Sequence, residues 1–413
     1  MFFGWKVVAT AFAVATFAWS FGFYGPAVFL NTLHQQRGWS VSVISAAITV
    51  HYLVSATLTV RLHSLHRRFG IASATRFGIA ALAFGVIGWS LAARPWHLFA
   101  AAMVTGAGWS ATNAAAINAM VAPWFNRRRA LALSHAFTGS SIGGVVFTPL
   151  WVALIARFGF TEAAMMMAAL TLTVLWPLIG RTLATTPAAL GLHPDGDTDV
   201  TATAPVVGSG PSLRFATLLR DRRFTTLSAA FALGLFAQIG LTAHLVTRLA
   251  PVFGTGNAAA CVSLATLCAV LGRYLLGVLM GSDRRLAAMG NFWMQAVGTA
   301  CLAFGTGPIT LLLGCVLFGL GIGNLVLLSP LIAQREFPPG DVAHIVALVT
   351  AVNLSVFAFA PALFGLLREA SGSYTVPFLL AAAVQLLAGA IVLFGREPVS
   401  FLARSDCAEH PGR

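Results

Sequence analysis

A single arginine, Arg273, interrupts a long apolar stretch of the sequence. It lies in the segment LCAVLGRYLLG, where all its neighbours are uncharged. A guanidinium group presents its N–H donors in a planar fork that matches a carboxylate, so an arginine in apolar surroundings is suited to binding an organic anion. An unpaired charge in hydrocarbon is costly, which means that Arg273 needs a partner or a water-filled cavity. The alternative is that its long side chain extends to the edge of the apolar region.

Histidines are the titratable residues that could move protons. The twelve acidic residues all fall in loops, in the tail or at the ends of apolar runs. His51 lies near the middle of one run, His244 in the last part of another, and His135 about one turn inside a third. Imidazole titrates close to physiological pH, so these three are the candidates for proton coupling. The alternative for each is a neutral, hydrogen-bonded packing residue.

Polar side chains inside the apolar runs could line a binding cavity. Beside Arg273 and His244, the candidates are Tyr24, Asn113, Asn324 and Asn353. Amides buried in apolar surroundings usually face neighbouring helices, so the alternative is that they join helices without touching a ligand. The sequence has no CxxC, zinc-ligand spacing or HExxH. We therefore expect no metal, no cofactor and no enzyme activity.

The elements that carry these residues are helices that cross a membrane. The 413-residue chain is 58% hydrophobic and 9% charged, whereas a soluble protein has roughly 25% charged residues. Most of its surface must therefore face lipid. A helix needs about 20 apolar residues to cross a bilayer. Charged, Pro and Gly clusters divide the sequence into twelve such runs: 6–30, 40–61, 73–93, 96–121, 130–156, 162–183, 224–249, 257–281, 286–306, 308–333, 342–367 and 374–395.

Basic residues set the predicted orientation. With a cytoplasmic N-terminus, nineteen of the 25 Lys and Arg residues fall in cytoplasmic segments and five outside. Cytoplasmic loops carry such an excess, so we expect a multi-pass protein of the cell inner membrane with both termini in the cytoplasm. The net charge of +13 is spread over several loops, which argues against a nucleic-acid partner. The arginines assigned to a cytoplasmic gate and loop motif are Arg67, Arg68, Arg127, Arg128 and Arg129.

The spans divide six and six around a polar segment. This segment, TTPAALGLHPDGDTDVTATAPVVGSGPS, has linker composition, and the basic stretch LRFATLLRDRRF after it predicts a helix on the membrane surface. AFAVATF in the first span resembles AFALGLF in the seventh, which indicates a duplicated unit. We expect two pseudo-symmetric six-helix bundles with a substrate site between them. The predicted boundaries are 1–184 for the N-terminal bundle, 185–223 for the linker and surface helix, 224–396 for the C-terminal bundle and 397–413 for the tail.

The sequence resembles the major facilitator superfamily, in particular its monocarboxylate-transporter-like and oxalate/formate-antiporter-like members. WFNRRRALALSHAFTGSSIG, GWKVVATAF and GLHPDG are similar to motifs of that group. The resemblance implies a substrate-binding arginine in the eighth helix, at Arg273, and a seventh-helix histidine, at His244. The sequence departs from the pattern twice. Tyr24 stands where the animal members have a coupling lysine, and Arg67 stands where an acidic residue of the second loop is expected.

Small residues follow the arginine cluster of the fifth span. Gly139 and Gly143 are four residues apart and share a helix face with room for a close neighbour, and Gly144 is adjacent. We interpret these glycines as helix-packing positions, either static or part of a surface on which the bundles rock.

These observations together predict a secondary transporter. We expect it to move a small organic anion, a monocarboxylate in particular, by alternating access as a monomer in the lipid bilayer, with protons as a candidate coupling ion. The alternative is an efflux pump for amphiphilic drugs or metabolites, although such a pump would favour an acidic residue inside the membrane.

Overall fold

The computed structural model describes residues 2–196, 215–279, 283–338 and 341–395. Within these ranges nine helices are long and apolar enough to cross a membrane. One of them, Arg222–Leu276, changes direction at Gly254, where φ is 75°, and supplies two spans. The interrupted fourth span and the helix Arg284–Phe304 complete the predicted twelve. The predicted tail, 397–413, and the linker residues 197–214 lie outside the described residues.

The N-terminal half contains spans 1 to 6. Two of these spans include a π-helical turn, a local widening of the helix that is frequent at functional sites. The helices are α1 (Gly4–Trp19), the π turn Ser20–Tyr24 and α2 (Gly25–Arg37) in span 1; α3 (Val41–Thr59) in span 2, followed by the short α4 (Leu62–Phe69); α5 (Ile71–Leu91) in span 3; α6 (Pro95–Ser110) and α7 (Ala114–Val121) in span 4; α8 (Arg129–Ile142), the π turn Gly143–Phe147 and α9 (Thr148–Phe158) in span 5; and α10 (Phe160–Thr182) in span 6.

The C-terminal half contains spans 7 to 12. Within the described residues, the predicted surface helix is a single turn, α11 (Phe215–Leu218). The remaining helices are α12 (Arg222–Leu279) in spans 7 and 8, α13 (Arg284–Phe304) in span 9, α14 (Pro308–Ile322) and α15 (Asn324–Glu336) in span 10, α16 (Val342–Phe357) and α17 (Ala360–Ser371) in span 11, and α18 (Thr375–Phe394) in span 12.

The observed spans differ from the predicted runs mainly through internal breaks. Span 4 stops at Ser110 and restarts at Ala114, because Asn113 adopts an extended backbone and caps α7 with its side chain. Span 10 is interrupted at Gly323. A count of apolar residues does not detect such breaks, because the residues that make them are uncharged.

Close helix crossings support the predicted duplication. In the N-terminal half, a Cβ atom on Gly108 would lie 2.7 Å from the carbonyl oxygen of Gly78, so spans 3 and 4 touch through backbone. In the C-terminal half, a Cβ atom on Gly314 would lie 2.9 Å from the carbonyl oxygen of Gly298, and spans 9 and 10 cross in the same way. Equivalent spans of the two halves therefore pack through equivalent glycine pairs.

The buried core divides about halfway along the spans. We call the face with the loop arginines and the N-terminus the arginine-rich face. On the opposite face, one cluster of buried residues contains side chains of both halves, from Leu30 of span 1 to Phe378 of span 12. On the arginine-rich face there are two separate clusters, one within each half. The halves are therefore packed together on the opposite face and separate from one another on the arginine-rich face.

Candidate functional site

Arg273 lies at the boundary between the buried cluster that the two halves share and the separate clusters of the arginine-rich face. Ala269, one turn earlier, belongs to the shared cluster, and Leu276 packs against the cluster of the C-terminal half. The partly buried guanidinium crosses to the other half, where its Nη2 donates a 2.5 Å hydrogen bond to Ser141 Oγ. Ser141 is about 18 Å along α8 from Arg129, at about 1.5 Å per residue. The side chain therefore ends inside the protein, well away from the arginine-rich surface.

Tyr24 lies beside this contact. Its buried ring faces Gly144, where a Cβ atom would lie 2.6 Å from Tyr24 Cζ and 2.7 Å from Thr266 Cγ2. Spans 1, 5 and 8 therefore converge at Gly144, where the absence of a side chain leaves room for Tyr24 and Thr266. The π turns of spans 1 and 5, which include Tyr24 and Gly144, contact each other at this level. Three of the residues singled out in the sequence, Arg273, Tyr24 and Gly144, are thus brought together.

The described residues provide no carboxylate within ion-pair distance of Arg273. Its polar partner there is the neutral hydroxyl group of Ser141. The positive charge is therefore left without an internal counter-ion, at the point where the halves begin to separate. Such a site can attract a small anion, because a carboxylate would supply both the missing charge and acceptors for the free N–H groups.

His244 lies on the opposite face, in the packed contact between the halves, which we call the seal. It is fully buried, with Nε2 at 3.2 Å from the carbonyl oxygen of Pro361 and at 3.4 Å from Ser45 Oγ of the N-terminal half. Near it, the backbone N–H of Ser42 donates a 2.9 Å hydrogen bond to Glu369 at the end of α17. Contacts of span 2 with span 11 thus close the opposite face, and His244 is part of that closure.

The other two candidate histidines contact the N-terminal half. His51 is buried, with Nδ1 at 3.0 Å from Thr105 Oγ1 and Nε2 at 3.2 Å from the carbonyl oxygen of Gly22. It joins spans 1, 2 and 4 of that half. His135 is exposed, with its ring 6.0 Å from that of Trp5. Of the three, His244 is the histidine that contacts the opposite half.

The candidate asparagines occupy three different settings. Asn113 caps α7, since its Oδ1 accepts from the N–H of Ala115 at 3.0 Å, while its Nδ2 donates to Thr59 Oγ1 at 2.8 Å. Asn324 stands at the break of span 10 and donates to Asn291 Oδ1 at 2.9 Å. Asn353 is buried in span 11, and its Oδ1 has no hydrogen-bond partner among the described residues. Asn113 and Asn324 thus bond to neighbouring helices.

The packing glycines separate into two groups. A Cβ atom on Gly139 would overlap the carbonyl oxygen of Phe12, and one on Gly143 would overlap that of Thr16. These two glycines allow spans 1 and 5 to touch within the N-terminal half, whereas Gly144 lies against the C-terminal half.

The loop arginines adjoin a docked part of the linker. Asp195 of the GLHPDG segment accepts backbone hydrogen bonds from Asn126 at 2.9 Å, Arg127 at 2.8 Å and Arg128 at 3.2 Å. Partial burial raises the pKa of Asp195, but these N–H groups and the charge of Arg127 outweigh it and hold the pKa below its ordinary value. The segment thus fastens the linker to the start of span 5.

The side chains of all five loop arginines are exposed. Arg129 donates to Asn118 Oδ1 at 2.9 Å, and the Arg68 guanidinium lies 5.2 Å from the ring centre of Phe69. Arg67, which stands at the expected acidic position, is one of the exposed residues.

Sequence reasoning missed a buried ion pair. Arg285, only 3% exposed, donates to Glu336 from Nε at 2.5 Å and from Nη2 at 2.7 Å, and it also bonds to Thr226 and two backbone carbonyl groups. It joins spans 7, 9, 10 and 12 at the arginine-rich face. Ser141 was missed as well, because a serine among glycines indicates helix packing and carries no separate signal.

Comparisons with known proteins agree with this architecture. A model of the Major Facilitator Superfamily matches residues 10–353. The chain is 26% identical over 399 residues to monocarboxylate transporter 13 of Bos taurus, covering 94% of this chain and 88% of that protein. It is 25% identical over 418 residues to human monocarboxylate transporter 11, covering 95% and 82%.

Among solved structures, the nucleoside transporter NupG superposes with a TM-score of 0.72 at 12% identity, covering 96% of this chain and all of that one. At this identity the likeness concerns the fold alone. The family match confirms the expected class, an all-α multi-pass membrane transporter rather than an enzyme. With twelve spans in two similar halves and a family match over most of its length, the chain belongs to the Major Facilitator Superfamily.

Proposed function

We propose that the protein is a secondary transporter that moves a small organic anion, a monocarboxylate in particular, by alternating access. The observation that carries the proposal is Arg273, whose guanidinium lies at the junction of the halves without a counter-ion among the described residues and is hydrogen-bonded to Ser141 across the junction. The names of the mammalian relatives, monocarboxylate transporters 11 and 13, point to the same substrate class. Tyr24, Asn324 and Asn353 complete the proposed lining, the two asparagines because their buried Oδ1 atoms have no hydrogen-bond partner among the described residues.

Alternating access explains the asymmetry of the core. Because the halves pack together on the opposite face and have separate buried clusters on the arginine-rich face, we infer that the site opens toward the arginine-rich side. We assign that side to the cytoplasm by the positive-inside rule and place the protein, as a monomer, in a cell inner membrane. Rocking of the halves about Gly144 would then expose Arg273 to the other side.

Proton coupling through His244 is part of the proposal. His244 is favoured over His51 and His135 because it contacts Ser45 of the opposite half, so that a change in its charge would act directly on the seal. Because Nε2 donates to the carbonyl oxygen of Pro361, an added proton goes to Nδ1, which lies 3.5 Å from Tyr374 Oη, and the resulting positive charge alters the contacts of the ring with both halves.

Uptake by proteoliposomes tests both parts of the proposal. We expect the wild-type protein to take up a radiolabelled short-chain monocarboxylate, faster under an inward proton gradient, and to ignore the matched neutral amide. His244→Gln should lose the acceleration by the gradient but retain exchange of labelled for unlabelled substrate, since exchange requires no net proton movement.

His51→Gln is the matched control and should keep both activities, because its partners lie within one half. Gradient-driven uptake that persists in His244→Gln and disappears in His51→Gln would contradict the coupling assignment. If the wild-type protein exports amphiphilic dyes and takes up no carboxylate, the protein is an efflux pump instead.

A further inference from the structure

Gly323, at the break in span 10, lies directly against the side chain of Arg273. A Cβ atom built on Gly323 would overlap Arg273 Nε, and it would lie 3.1 Å from Arg273 Cζ and 2.9 Å from the carbonyl oxygen of Ala269. The backbone of Gly323 has φ −72° and ψ −17°, which any residue can adopt. Glycine is therefore not required there by the backbone conformation, and the space that it leaves is filled by the guanidinium group.

The break that presents Gly323 is fixed to span 9. Asn324 Nδ2 donates to Asn291 Oδ1 at 2.9 Å and to the carbonyl oxygen of Leu320 at 3.1 Å. Asn291 Nδ2 in turn donates to the carbonyl oxygen of Gly321 at 3.4 Å. These bonds secure the backbone on both sides of Gly323, so a side chain added there could not be accommodated by a simple shift of span 10.

The far end of Arg273 is also fixed. Nη2 bonds to Ser141 of the N-terminal half, while Nε and Cζ lie over Gly323 of the C-terminal half. The guanidinium plane is therefore defined at two places, and its remaining N–H groups have a set direction. A site that recognises a carboxylate through a planar fork depends on that direction.

We propose that Gly323 is a positioning residue of the anion site, which keeps open the space over span 10 through which Arg273 reaches Ser141. The inference rests on the proposed function, since it assigns to Gly323 a role in substrate affinity. A methyl group at position 323 displaces the guanidinium, and its 2.9 Å contact with the carbonyl oxygen of Ala269 also requires a small shift between spans 8 and 10.

The test compares Gly323→Ala with Gly319→Ala, one turn earlier in the same helix. A Cβ atom on Gly319 would overlap the backbone of Ala265, so this control perturbs the same crossing without touching Arg273. We expect Gly323→Ala to raise the KM for the carboxylate about ten-fold or more, as loss of a hydrogen bond to a charged group does, with little change in turnover or melting temperature. Gly319→Ala should lower the melting temperature, and the folded fraction of this variant should have the same KM as the wild type.

A structure of the Gly323→Ala variant gives a readout that needs no substrate. The proposal expects the hydrogen bond between Arg273 and Ser141 to be broken, with spans 8 and 10 displaced no further than in Gly319→Ala, where that bond should remain. The inference is overturned if the hydrogen bond is intact in the variant. It is also overturned if the wild-type protein transports carboxylates and Gly323→Ala has the same KM. If the wild-type protein transports no carboxylate but the variant loses this bond, the proposed function fails and the positioning role stands.

Discussion

The Arg273→Ala variant is expected to lose carboxylate transport while it still folds and inserts. Removing one member of a hydrogen-bonded charge pair costs about 2–5 kcal/mol of binding free energy. With about 1.4 kcal/mol for each factor of ten, the affinity for the carboxylate should fall at least about thirty-fold. Uptake of labelled substrate by proteoliposomes, at matched protein content, measures this loss.

The stability of the same variant should not fall. Arg273 has no carboxylate partner among the described residues, so alanine removes a desolvated charge and one hydrogen bond to Ser141. Its melting temperature in detergent should therefore equal or exceed that of the wild type. Arg273→Lys keeps the charge but lacks the planar fork, and we expect weak transport from it.

Arg76→Ala is the matched control for Arg273→Ala. Arg76 is also a partly buried arginine in a span, but its Nη2 donates to the carbonyl oxygen of Trp176 at 3.1 Å within the N-terminal half. Transport should be retained in this variant. If Arg273→Ala takes up substrate at the wild-type rate, or if both variants lose the same amount of uptake, Arg273 does not bind the carboxylate.

The largest loss of stability is expected from Glu336→Ala. This change leaves the Arg285 guanidinium, only 3% exposed, without its carboxylate. An uncompensated buried charge costs about 3–5 kcal/mol, and four spans meet at this arginine. Thermal melting followed by size-exclusion chromatography in detergent should show a large fall in the melting temperature.

Two further variants separate the charge effect from simple loss of side-chain volume. The double variant Arg285→Met with Glu336→Leu removes both charges. It should recover much of the stability, because replacing a buried ion pair by apolar side chains of similar volume is often neutral or stabilising. Asp221→Ala breaks the more exposed pair with Arg223, in which the Asp221 and Arg223 side chains are 28% and 38% exposed, and removes the 2.8 Å cap hydrogen bond from the Arg223 N–H, so it should cost about 1–2 kcal/mol. If Glu336→Ala melts like Asp221→Ala, the buried pair does not hold the C-terminal half together.

The twelve spans could be predicted because lipid exposure requires long apolar runs. Span 2, for example, was predicted at 40–61 and is observed at Val41–Thr59. The breaks in spans 4 and 10 were not predicted, since Asn113 and Gly323 do not interrupt an apolar run. These breaks depend on tertiary partners such as Thr59 and Asn291, which lie far away in the sequence.

The site could be predicted in part. Arg273 stood out because an arginine inside an apolar run requires an explanation, whereas the role of Ser141 depends on a contact across 132 positions of the sequence. Likewise, Arg285 and Glu336 fall just outside the predicted spans 286–306 and 308–333, but their pairing across 51 positions comes from the packing of spans 9 and 10. Sequence chemistry thus identifies unusual residues, and the fold determines their partners.

The central claim, that Arg273 binds a carboxylate between the halves, is tested most directly by ligand-induced stabilisation of the purified protein. A ligand that binds the folded state stabilises it by about 2.7 kcal/mol at a hundred times its Kd. We predict that a short-chain monocarboxylate raises the melting temperature of the wild type but not of Arg273→Ala, and that the matched neutral amide raises neither. Equal stabilisation of both proteins by the carboxylate, or stabilisation of the wild type by the amide alone, would contradict the account.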